Sequence, residues 1–134
     1  MIPKEELTSL LRESLKKSSA DETELVAYMN STSLTRFAKS VIHQNVREDD
    51  SSIFARVAVG KRIGVAATNR LTPEAIGATI EKATDMAKQS PEQKDFPGLP
   101  KAPAAQPVES FAGSTAEMTP DERADAGGRA VAVA

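Results

Sequence analysis

Between Glu24 and Thr68 apolar and polar residues alternate with a period of two, while on both sides of this stretch the apolar residues recur with the period of a helix. That change of period is the strongest constraint on the fold, because a strand pattern and a helix pattern each bury a continuous face in one geometry only. In the central stretch, "ELVAYMN", "SLTRFA", "VIHQNV", "SIFARVAV" and "RIGVAAT" read as short strands joined by brief polar or glycine-containing turns. Strands that follow one another so closely leave no room for crossovers, which implies an antiparallel meander of four to five strands. In the fourth segment Ile53, Ala55, Val57 and Val59 face one way and Phe54, Arg56 and Ala58 the other. The turn in "AVGKRI" is the clearest hairpin, since Gly60 can take the positive φ that a tight primed turn requires.

Helices flank the meander, giving an α+β class. Leu7, Leu10, Leu11 and Leu15 fall on one face of a helix from about Pro3 to about Lys17, and the stripe is explained by core contact. A second helix is announced by Leu71-Thr72-Pro73-Glu74: Thr72 as N-cap, Pro73 in the first position, and Leu71 placed to staple onto Ile76. Ile76, Ile80, Ala83 and Ala87 form its buried stripe, and Pro91 stops it. Residues 1–90 thus form an α+β domain. Residues 91–118, rich in Pro and Ala, read as a linker or a surface strap. Thr119-Pro120-Asp121-Glu122 repeats the Thr-Pro cap and opens a third helix over 119–134. With Val131 and Val133 near its end left without a burial partner, the expectation is that the natural chain continues.

Composition excludes several functions. A net charge of −2 without a basic run disfavours nucleic-acid binding. No apolar run approaches the roughly 20 residues of a membrane span, and the absence of cysteine suits a cytoplasmic protein. One histidine and no cysteine leave a metal site to carboxylates alone. The acidic cluster Glu48-Asp49-Asp50, expected in a turn, lacks the spacing of a calcium loop and reads as solvated. No nucleophile elbow or phosphate-binding glycine pattern occurs, so no catalytic residue and no metal ligand is assigned. His43, the sole histidine, shares a strand face with Val41 and Asn45; it is either an exposed or hydrogen-bonded strand residue or a ligand contact. Arg36 and Arg56 are expected to cover the sheet with their aliphatic stems.

The ordered run of Arg36-Phe37-Ala38, Ile42-His43-Gln44-Asn45, Gly64 with Ala67-Thr68-Asn69, and Phe96-Pro97-Gly98-Leu99-Pro100 resembles the N-terminal region of the TldD/PmbA family. The resemblance spans about residues 20 to 102. It implies a metallopeptidase family, formerly labelled modulators of DNA gyrase and associated with trimming a microcin precursor and degrading an antitoxin. Its two paralogous types pair into a dimer, and the catalytic type carries a zinc motif, His-Glu-x-x-x-His, well downstream and absent from this sequence. On this reading the segment itself needs no cofactor, zinc belongs to the full-length catalytic member, and a homo- or hetero-dimer with a paralogue and a peptide substrate are the expected partners. Arg36, His43, Gln44 and Asn45 become candidates for lining a substrate cavity. One departure is Lys39-Ser40, where family members often carry Asn, a residue that tolerates left-handed backbone better. The alternative is a self-contained module that takes up an extended peptide, or a second copy, at a sheet edge.

Overall fold

The computed structural model describes residues 2–101 and 106–133; Pro103 of the expected strap and the terminal Ala134 lie outside the described residues. The elements are α1 (Lys4–Leu15), β1 (Glu22–Ala38), β2 (Val41–Val59), β3 (Arg62–Thr68), α2 (Pro73–Gln89), α3 (Gly113–Ala116) and α4 (Pro120–Ala132). The strands form one antiparallel sheet in the order β1-β2-β3, so the fold is α+β.

Three strands replace the expected four to five. The polar stretches at 31–32 and 47–51, read as turns, contain neither Gly nor Pro and so do not force the backbone out of the extended region. Strand pairing satisfies their N–H and C=O groups instead, and β1 and β2 run through them for 17 and 19 residues. Glu48-Asp49-Asp50 consequently lies on β2, not in a turn. A second difference is α3, a single turn in which Ala112 O accepts from Thr115 N and Ala116 N at 3.1 Å each. Four residues are too few to show a period, and the sequence gives no sign of this helix.

The described residues divide into two compact units, one built from 2–30 and 49–101, the other from 31–48 and 106–133. The first holds the core. Alternation along β2 buries Ile53, Ala55 and Val57 completely, and α2 supplies Ile76, Ile80, Ala83 and Ala87 to the same cluster. Leu10 and Leu11 of α1 pack against it. Burial of each large aliphatic side chain contributes about 1.5–3 kcal/mol. The second helix begins and ends where its local chemistry dictates: Thr72 Oγ1 accepts from Ala75 N at 3.2 Å, and Ser90, before Pro91, is extended at φ −76°, ψ 151°. On the other side of the sheet Glu24 pairs with Arg56 at 2.8 Å and Tyr28 meets Phe54 edge to face, ring centroids 5.8 Å apart.

In the β2–β3 register Val57 pairs with Gly64, and a Cβ at Gly64 would sit 1.9 Å from Ala83 O and 2.5 Å from Ala87 N. The helix backbone therefore lies directly on β3, an approach that only glycine admits. The turn at Gly60-Lys61 has a positive φ at Gly60 (58°) and not at Lys61, the pattern of a type II′ hairpin. Residues 91–101 are tied to this unit by Gln93 N donating to Lys61 O (2.9 Å), Lys61 Nζ donating to Lys94 O (2.6 Å), and Leu99 N donating to the Glu22 carboxylate. Gly98, at φ +102°, turns the chain beside that carboxylate.

In the second unit the two-residue loop Lys39-Ser40 connects the hairpin arms with φ of 50° and 61°, a type I′ turn made without glycine or asparagine. Left-handed backbone costs a residue with a Cβ roughly 1–2 kcal/mol. Lys39→Asn combined with Ser40→Gly is therefore expected to stabilise the hairpin by about 1 kcal/mol. Amide exchange at residues flanking the turn would slow about fivefold; unchanged or faster exchange would rule the I′ geometry out.

Candidate functional site

The four candidate cavity residues lie on the hairpin of the second unit, where strand alternation sends their side chains to different faces. Arg36 Nη1 donates to Gln44 Oε1 at 3.5 Å, and this pair lines a shallow depression of about 180 Å³ with Thr32, Leu34, Val46 and Glu48. Asn45 belongs to a separate network: its Oδ1 accepts from the Thr35 hydroxyl. His43 is exposed, has no side-chain partner among the described residues and lines neither depression. The structure thus brings Arg36 and Gln44 together and leaves Asn45 and His43 apart from them.

The Asn45 network reaches a residue that the sequence reading passed over. Thr35 Oγ1, while donating to Asn45, accepts from Arg123 Nε at 3.0 Å; Arg123 Nη1 donates to Met118 O at 2.6 Å. A hydroxyl can do both because it carries one donor and two acceptor lone pairs. Arg123 stands in a cleft of about 130 Å³ whose walls are Phe37 and Ile42 from the hairpin and Ala124, Gly127, Gly128 and Val131 from α4. These α4 residues and Arg123 occupy positions i, i+1, i+4, i+5 and i+8, one helical face. That spacing is present in the sequence, but the Gly-Gly pair inside it obscures an otherwise regular stripe.

The fourth helix is set by its first turn. Thr119 Oγ1 accepts from Glu122 N at 3.2 Å, and Glu122 Oε2 accepts from Thr119 N at 2.7 Å, a complete capping box, with Pro120 in the first turn. The hydrogen bonds from the Thr119 backbone and hydroxyl hold the Glu122 carboxyl below its ordinary value of 4.5. A carboxylate with a depressed folded pKa supports the fold fully above its unfolded pKa and loses that support as pH falls through the folded value. Acidification below about pH 4.5 is therefore expected to fray α4 from its N-terminus, seen as faster amide exchange at residues 120–124. Glu122→Gln should flatten the part of this pH profile due to the cap; an unaltered profile would show that the capping carboxylate is not its source.

Among the described residues no group of three or more His, Cys, Asp or Glu is placed to hold a metal ion. The described side chains do not fit a zinc site. No helix among them is long and apolar enough to cross a membrane.

Residues 23–87, from the start of β1 almost to the end of α2, match the family model described as PmbA/TldA metallopeptidase domain 1. Over these residues the chain is similar to the first domain of the TldD/PmbA family. Its fold is that of TldE from Thermococcus kodakarensis, whose crystal structure is similar over 95% of this chain with a TM-score of 0.77 at 21% sequence identity. The chain spans 28% of the length of that TldE chain. No curated protein matches the sequence. Within the TldD/PmbA match fall Arg36, His43, Gln44, Asn45 and Gly64, whereas Arg123 and the cleft face of α4 lie beyond it.

Proposed function

We propose that this chain is the first domain of a TldD/PmbA-type metallopeptidase, taking no part in the bond-breaking chemistry, lining part of the substrate cavity and making contacts to a paralogous subunit. The match of residues 23–87 to metallopeptidase domain 1 carries this reading. Zinc, in the catalytic member, is held by residues outside this segment, and the assembly acts on peptides in the cytoplasm. The Arg36–Gln44 pair supports a cavity role, since an exposed guanidinium and amide together offer donors and an acceptor to an extended backbone. In a full-length protein that carries this domain, Arg36→Ala is expected to raise KM for a peptide about threefold or more with kcat within twofold, the pattern of a lost binding contact. An unchanged KM in both Arg36→Ala and Gln44→Ala variants would remove the hairpin from the substrate cavity.

A second reading uses the sheet edges. In the order β1-β2-β3 both β1 and β3 are edge strands among the described residues, and β1 is 17 residues long. Such an edge can pair with an extended peptide or a second copy. Sedimentation equilibrium of the chain separates the two kinds of partner, a concentration-dependent dimer favouring pairing between copies.

A further inference from the structure

The cleft on α4 combines three features. Its walls are mainly apolar, with Phe37, Ile42, Ala124 and Val131 around it. Its volume, about 130 Å³, is close to the roughly 150 Å³ at which an apolar cavity accepts a benzene ring, and so suits one side chain of leucine or phenylalanine size. Its charged group, Arg123, is held by two neutral acceptors, Thr35 Oγ1 and Met118 O, and pairs with no carboxylate among the described residues. Glu122, its neighbour in sequence, is engaged with Thr119 in the capping box. The Nη2 group of Arg123 has no partner among the described residues and remains available to donate to a carboxylate oxygen.

We propose that this cleft binds the C-terminal residue of a peptide, its carboxylate on Arg123 and its apolar side chain against Phe37, Ile42 and Val131. The charge and size requirements follow from the cleft; the choice of a peptide as the carboxylate's source rests on the peptidase reading above. Thr35 and Met118 act as positioning groups that fix the guanidinium plane, and Asn45 in turn fixes the Thr35 hydroxyl. Gly128 borders the cleft, and an added Cβ there meets nothing within 4 Å, so a larger side chain can be introduced without a backbone clash.

The test uses the chain without metal and three probes: a hexapeptide ending in leucine with a free carboxylate, the same peptide amidated at its C-terminus, and N-acetyl-leucine. Calorimetry is expected to show the free-acid peptide binding at least tenfold tighter than the amide, and tighter than N-acetyl-leucine. Arg123→Gln should abolish the difference between acid and amide. Because that substitution also removes the braces to Thr35 and Met118, Gly128→Leu serves as the second variant: it leaves those contacts in place, fills the cleft and should prevent binding with the circular dichroism unchanged. Equal binding of acid and amide, or no binding of either, would overturn the proposal. N-acetyl-leucine binding as tightly as the peptide would assign the cleft to a small free acid and overturn the peptide assignment. Since no cleavage is measured, a negative result here leaves the peptidase reading to its own test.

Discussion

Gly64→Ala is expected to destabilise the first unit by about 3 kcal/mol or more, at the upper end of what an added methyl group does to a packed core. The reason is the kind of atom it would strike. The new Cβ would lie 1.9 Å from Ala83 O and 2.5 Å from Ala87 N, both backbone atoms of α2, so no side-chain rotation can relieve the overlap. The helix must lift from β3, and lifting it opens the layer formed by Ile76, Ile80, Ala83 and Ala87 over Ile53, Ala55 and Val57. Gly77→Ala in the same helix is the matching control. There the added Cβ meets nothing within 4 Å, and the gain in helix propensity should stabilise by up to about 1 kcal/mol. Urea unfolding of both variants reads the two effects with opposite sign; destabilisation by Gly77→Ala equal to that by Gly64→Ala would contradict the close approach of helix and strand.

Ile76→Ala is expected to have the other large effect, about 3 kcal/mol within the usual 2–5 kcal/mol for removing a buried large aliphatic side chain. Ile76 is completely buried and sits in the first turn of α2, where Thr72 and Pro73 fix the helix start. The chain there has little freedom to collapse into the space left behind, so the cavity contribution should persist. The urea midpoint should fall while the slope of free energy against urea stays constant, because the surface exposed on unfolding is nearly the same. A loss below about 1 kcal/mol would mean that the core repacks around the site or that Ile76 is not buried in solution.

What could be read from the sequence followed how local the determining chemistry is. The second helix was legible almost to the residue, because Thr72, Pro73 and Pro91 act on their immediate neighbours and α2 runs Pro73–Gln89. Alternation likewise placed Ile53, Ala55 and Val57 on one face, which the structure buries completely. The strand count was less legible: polar residues at 31–32 and 47–51 resemble turns in composition, but whether a polar stretch turns or continues depends on its partner strand. The same holds for the candidate site. Arg36 and Gln44 were both candidates, but their contact across the hairpin depends on the left-handed turn at Lys39-Ser40. The contact of Arg123 with Thr35 joins residues 88 apart and comes from the packing of the second unit, which no period in either segment records.

Zinc-dependent cleavage of a quenched fluorescent peptide, compared between this chain alone and a full-length protein that carries it as its first domain, distinguishes a non-catalytic domain from a self-sufficient peptidase. No zinc-dependent turnover above background is expected from the chain, and turnover is expected from the full-length protein. Cleavage by the isolated chain at a rate comparable with the full-length protein would contradict the assignment of the chemistry to residues outside this segment.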